Sequence, residues 1–212
     1  MKKDFEVPFY PNEPDNMHCF QACFKMVLKY FLPDREFTKK DLEKITAFSE
    51  KLLTWQLAGV LWMKDKGFEI KNIEIFDYAA FAKDGEEYLL EEFGKEVGRA
   101  QIENSNIKQE QILTTTYIQK IKIEKRIPTV KDIKSLLQND YLIICTINSA
   151  ILVNKPHYSS HSVVVKGFND KDFIIHDPGL PPLENRYVGF ELFEKAWAYP
   201  NEKAKNILAF KF

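Results

Sequence analysis

Ser160-His161-Ser162-Val163-Val164-Val165-Lys166-Gly167-Phe168-Asn169-Asp170-Lys171-Asp172-Phe173-Ile174-Ile175-His176-Asp177-Pro178-Gly179 is the stretch from which the fold is read. Two apolar, β-branched runs, 160–167 and 172–176, flank the turn formers Asn169-Asp170, and Asp177-Pro178-Gly179 breaks the second run. This is the pattern of two antiparallel strands joined by a tight turn. A hairpin centred on residue 169 brings His161 opposite Asp177, on the face that also carries Val163, Val165, Phe173 and Ile175. One apolar sheet face thus ends in a histidine and a carboxylate. Such a hydrogen bond fixes the imidazole tautomer and stabilises the imidazolium formed after proton abstraction, which is what a general base needs.

A base implies a nucleophile, and the chain offers one near its start. In His18-Cys19-Phe20-Gln21-Ala22-Cys23-Phe24-Lys25-Met26-Val27-Leu28-Lys29, apolar residues at 20, 23, 24, 27, 28 and 31 have the spacing of a helix face pressed into a core. Cys19 then heads the helix, where unsatisfied backbone N–H groups favour thiolate over thiol. The helix pattern alone fits a buried small hydrophobe equally well; the His/Asp hairpin favours the nucleophile. Cys23 on the apolar stripe and Cys145 inside an apolar run read as core. His18 and His176 read as partly exposed, and His157 as a loop residue.

Between these segments the chain reads as α+β. Pro8, Pro11 and Pro14 keep residues 5–16 extended. The first helix spans about 19–30, a second capped by Thr38 about 39–48, and a third about 55–66, stopped by Gly67. A strand follows at 68–76. Residues 77–126 hold no proline and repeat apolar residues at helical spacing, so they read as a helical excursion, about 77–127, with solvated charged faces or as a cover over the site. A helix over 130–138, a buried strand over 141–147, a short helix over 191–197 and a final strand over 207–212 complete one domain of 1–212. Trp55, Trp62 and Trp197 are either core or cleft-lining.

With 45% hydrophobic residues the 212-residue chain has enough apolar surface for a substantial core. Thirty Lys and Arg against 31 Asp and Glu leave no field to draw nucleic acid or an anionic membrane. No window approaches the ~20 apolar residues of a membrane span, and no signal-like segment opens the chain. With three cysteines, an odd number, the expectation is a cytoplasmic protein with reduced thiols.

The order Cys19 heading an early helix, His161 opening a Val-rich strand and Asp177-Pro178 closing the next resembles the papain-like fold. Cys19-x-x-Ala22-x-x-x-Met26-Val27-Leu28, His161-Ser162-Val163-Val164-Val165-Lys166-Gly167-Phe168 and His176-Asp177-Pro178-Gly179 are similar to cysteine peptidase family 39 and its stand-alone relatives. Founding members of that family remove double-glycine leaders from bacteriocin precursors. The resemblance covers about 5–31, 55–76 and 130–212 and implies a thiol hydrolase acting on a peptide or small amide, with no cofactor or metal. It assigns Cys19 as nucleophile, His161 as base and Asp177 as orienter. Where the family has Gly and Pro after the cysteine this chain has Phe20 and Gln21, and Glu13 stands where the family has the oxyanion-hole Gln. The neighbouring Asn12, one residue further back, has the needed amide if the loop carries one extra residue, beside the Cys19 N–H. Three other readings remain: a papain-like domain that binds peptides without cutting them, an acyltransferase using the same thiol, and a zinc site built from Cys19-x3-Cys23 and His157-x3-His161.

Overall fold

The computed structural model describes residues 2–212. Among them eight strands form one sheet: β1 (Lys3–Asp4), β2 (Glu69–Glu74), β3 (Ile123–Glu124), β4 (Leu142–Asn148), β5 (Ser160–Phe168), β6 (Asp172–Asp177), β7 (Leu183–Gly189) and β8 (Asn206–Lys211). Their order is β3-β2-β8-β4-β5-β6-β7, with β1 paired to the end of β5. The β2 and β3 pair is parallel, the others antiparallel. The helices are α1 (Cys19–Phe31), α2 (Lys39–Ile45), α3 (Leu57–Asp65), α4 (Tyr78–Asp84), α5 (Glu86–Glu103), α6 (Ile107–Lys120), α7 (Val130–Gln138) and α8 (Phe190–Trp197). The expected α+β class holds.

Local chemistry sets the boundaries. Thr38 and Thr129 form capping boxes with Asp41 and Asp132, satisfying N–H groups at the starts of α2 and α7. Gly67, at φ 93°, takes the left-handed turn that ends α3 and starts β2. Helix α1 buries Phe20, Ala22, Cys23, Phe24, Met26, Val27 and Leu28, and Lys29 Nζ donates to the carbonyls of Pro33 (2.7 Å) and Arg35 (3.0 Å), fixing the turn that follows. Strands β4 and β5 are buried along nearly their whole length, as their continuous apolar runs require.

The central hairpin differs from expectation in register. Asn169 Oδ1 accepts from the N–H groups of Lys171 (2.8 Å) and Asp172 (2.7 Å), so Asn169 opens the turn instead of standing at its centre. Phe168 pairs with Phe173, and a bulge between Val165 and Gly167 carries the ladder on to Val165 with Ile175 and Val164 with His176. Asp177 therefore lies level with Val163, one diagonal step from His161 and on the same face. Three strands had no strong signal: β1 and β3 are two residues each, and β7 is mostly exposed, with Val188 its one buried residue.

Two histidines are more buried than their sequence contexts suggested. His176 is fully buried; its Nδ1 accepts from Asn185 N–H at 3.2 Å, which leaves Nε2–H to donate to Val7 O at 2.9 Å. Burial keeps this imidazole neutral by lowering its pKa, and it straps the extended N-terminal segment to the sheet. His18 is held between Asp15 Oδ1 and Glu43 Oε1, both at 3.0 Å, and stacks on Phe48.

The excursion contains α4 to α6, and its charges do not describe it fully. Tyr78 and Tyr117 enter the main core, where Asn72 Nδ2 on β2 donates to Tyr117 Oη at 2.9 Å. Phe81, Leu89 and Ile107 form a small second core with Trp55, Phe76, Tyr88 and Phe93. Inside α6, Glu110 is buried and its Oε2 has no hydrogen-bond partner among the described residues, so burial raises the carboxyl to about 8. The native state then binds a proton that the unfolded chain, with an ordinary carboxyl, releases. Stability is fullest below the unfolded pKa and declines as pH rises through the folded one. Thermal unfolding from about pH 5 to about pH 9 should show wild-type Tm falling several degrees more than that of Glu110→Gln; parallel curves would show that this carboxyl carries no linkage.

Candidate active site

Strands β2, β4 and β6 end, and β5, β7 and β8 begin, at the same edge of the sheet, and α1 points its N-terminus there. A cleft of about 440 Å³ runs along that edge and is lined by Cys19, His161, Asp177 and Gly179 on one side and by Trp55, Phe76 and Phe93 on the other. The structure thus brings together the three residues singled out as nucleophile, base and orienter.

Helix α1 places Cys19 where its first-turn N–H groups have no intrahelical partner. Burial by itself would raise this thiol, but a hydrogen bond and charge attraction from His161, with the backbone N–H groups of Ser162 and Phe20, more than offset it and hold the pKa below the ordinary cysteine value. His161 moves the other way: its burial disfavours charge, yet the bonds to Asp177 and Cys19 raise it. Each shift favours a thiolate and imidazolium pair. The His161 Nε2 to Asp177 Oδ1 distance is 2.7 Å, with both side chains buried. Nδ1 is then the nitrogen left for the sulfur. Cys23 and Cys145 are fully buried and their thiols are pushed up, Cys23 donating to Ser162 O at 3.2 Å.

Asp177 is held by more than histidine. Oδ1 also accepts from Gly179 N–H at 3.0 Å, and Oδ2 accepts from Arg186 Nη1 at 2.8 Å while Arg186 Nη2 reaches Leu152 O at 2.9 Å. A Cβ on Gly179 would stand 3.0 Å from Asp177 Oδ1 and 3.4 Å from His161 Nε2, so only glycine brings its N–H this close without crowding the pair. Burial opposes ionisation of Asp177, but these bonds outweigh it and lower its pKa. Sequence reasoning missed Arg186 because β7 is exposed and barely alternates.

The residues that depart from the family pattern have definite places. Phe20 turns its ring inward against Phe24, and Gly59 on α3 leaves room for both. Gln21 Nε2 donates to Thr46 (3.1 Å) and Thr54 (2.8 Å), tying α1 to the loops around α2 and α3. Asn12 does not line the Cys19 cleft. It lines a second cavity of about 480 Å³ with Glu13, His18 and Gln21, its Oδ1 accepting from Glu13 and His18 N–H, its Nδ2 donating to Asn16 Oδ1 at 3.0 Å. Asn16 does line the cleft. Of the tryptophans, Trp55 lines the cleft, whereas Trp62 packs against Phe24 and Phe37 and Trp197 is core, donating to Asn206 O. His157 is exposed at the cleft mouth, and among the described residues no cluster of three or more His, Cys, Asp or Glu has a metal-holding arrangement.

The sequence profile of the Peptidase_C39 like family matches residues 5–205. The chain belongs to that family. Two solved structures share its fold: the peptidase domain of Streptococcus ComA, a bi-functional ABC transporter involved in a quorum sensing pathway, and a C39-like peptidase from Bacillus anthracis. The first is 15% identical with a TM-score of 0.51, covering 97% of this chain and 98% of its own. The second is 14% identical with a TM-score of 0.50, covering 100% and 98%. No curated protein sequence matches the chain. No helix among the described residues of this Peptidase_C39 like protein is long and apolar enough to cross a membrane.

Alkylation tests the electrostatics directly. Iodoacetamide near neutral pH should label Cys19 in the folded protein and spare Cys23 and Cys145, and His161→Ala should slow labelling by about 10-fold or more. Comparable labelling of Cys23 or Cys145, or an unchanged rate in His161→Ala, would contradict the assignment.

Proposed function

We propose that this chain is a papain-like cysteine peptidase acting on a peptide or related amide, with Cys19, His161 and Asp177 as its triad. The observation that carries the reading is the contact chain from a half-buried Cys19 through buried His161 to buried Asp177, lining an open cleft in a Peptidase_C39 like chain. The Cys19 thiolate adds to the substrate carbonyl carbon while the carbonyl electrons move to oxygen. His161 gives its proton to the departing amine as the C–N bond breaks, leaving a thioester on Cys19. Neutral His161 then takes a proton from water, the hydroxide displaces sulfur, and the acid product leaves with the thiolate and imidazolium restored. Asp177, clamped by Arg186 and Gly179, keeps Nδ1 of His161 turned to the sulfur throughout.

The oxyanion is held by the Cys19 N–H and an amide donor. Asn12, the substitute read from the sequence, lies outside the cleft and in this reading orients the donor: Asn16 Oδ1 accepts from Asn12, which leaves the Asn16 amide nitrogen for the cleft that Asn16 lines. In this reading residues 1–212 form one papain-like unit, and helix α5 of the 77–127 insertion walls the cleft with Leu89, Phe93, Val97 and Gln101, joined by Tyr78 of α4.

Incubating the protein with a mixed peptide pool and reading new termini by mass spectrometry tests the proposal. Wild type should generate cleavage products and form a Cys19 adduct with an electrophilic thiol probe; Cys19→Ala should do neither, and His161→Ala should lose about 10²-fold or more in rate. Products that persist in Cys19→Ala would end the reading.

A further inference from the structure

The cleft extends well beyond the triad. Across the sheet, Glu74 pairs with Asn206, Asn206 bonds the backbone of Thr146, and Thr146 pairs with Ser162 beside His161. All four residues line the same cleft. Three strand spacings separate β2 from β5, which puts Glu74 roughly 14 Å from the triad strand. An extended peptide covers that span in about four residues.

Glu74 is an unusual residue to find there. It is buried, and among the described residues its carboxylate has no cationic partner; its neighbours are the Tyr78 hydroxyl, which donates to Oε1 at 2.7 Å, and the Asn72 amide. Gln56 and Asn72 in turn direct amide N–H groups at Tyr78 Oη, at 3.4 and 3.5 Å, so the network supplies donors towards the carboxylate. Burial raises its pKa, a penalty that an incoming cation would relieve. The surrounding wall is aromatic: Phe76 lies 4.8 Å from Tyr78 and 6.3 Å from Trp55 between ring centroids and stacks at 6.1 Å on Phe93. A carboxylate at the base of clustered ring faces is the chemistry that selects an ammonium or guanidinium. The triad end is different: Arg186 is paired there with Asp177, and Lys155 and His157 add exposed basic side chains.

We propose that Glu74, Trp55, Phe76 and Phe93 form a specificity subsite for a Lys or Arg side chain of the peptide substrate, about four residues from the scissile bond. The proposal rests on the peptidase reading above for the location of that bond, not for the site's affinity for cations.

The test uses the full chain and synthetic peptides drawn from those cleaved in the mixed pool. Wild type should prefer Lys over norleucine at one position near the fourth residue from the cleaved bond by about 10-fold or more in kcat/KM. In Glu74→Gln, which retains an acceptor for Tyr78, that ratio should fall to near one, and Phe93→Ala, at the partly exposed rim, should lower it independently. A wild-type ratio near one, or an unchanged ratio in both variants, overturns the subsite. If wild type cleaves nothing, the peptidase reading fails, and the subsite is decided by retention of the same pool on immobilised Cys19→Ala. Enrichment of Lys and Arg peptides that is lost on adding Glu74→Gln supports it, and retention without such enrichment overturns it.

Discussion

Four side chains of alternating charge, Cys19, His161, Asp177 and Arg186, meet at the edge of the sheet, and the rest of the molecule arranges for them to do so largely out of water. Cys19, His161 or Asp177 buried by itself would neutralise, and Arg186 would be left as an uncompensated charge. Together they offset one another, which is why burial opposes each ionisation in the triad and yet the thiol and the carboxyl are lowered and the imidazole raised. The arrangement has no slack: Asp177 divides its oxygens between His161 with Gly179 on one side and Arg186 on the other. Removing a member takes from its neighbour a charge-assisted bond that water does not replace.

The scaffold meets this demand with rigid elements. Strand β5, paired on both sides and buried, carries His161; β6 carries Asp177 to the edge of the sheet where the chain breaks at Pro178; β7 returns Arg186 alongside. Helix α1 packs on β5 so that its unsatisfied N-terminus meets the histidine. His176, on the face of β6 opposite Asp177, draws the N-terminal segment against the sheet through Val7, and Asn12 N–H donates to Pro178 O at 2.8 Å, joining that segment to the loop after Asp177. The strand that delivers Asp177 therefore also fixes the chain leading into Cys19.

The parts of this account legible from sequence are those written in local periodicity. Helix α1, the Thr129 cap of α7 and the Val-rich β5 each announce themselves within a dozen residues, and the family pattern linked Cys19, His161 and Asp177 across the chain. What was hidden depends on long-range contact. The hairpin's register turns on where Asn169 places its side chain. Arg186 lies on a strand too exposed to alternate. His18 and His176 owe their burial to partners as distant as Glu43 and Val7, and Glu74 gains meaning only when the insertion brings Phe93 and Tyr78 beside it. Phe20 and Gln21, alarming as departures from Gly and Pro, prove to have room and partners on α3 and around α2.

The central claim is that Cys19 rests as a thiolate because His161 is positively charged beside it. Thiolate ultraviolet absorbance, titrated as the difference between wild type and Cys19→Ser, measures this most directly. A thiolate signal persisting well below the ordinary cysteine range of about 8.5, and displaced upward in His161→Ala, is the expected result; an ordinary titration unaffected by His161→Ala would contradict the account.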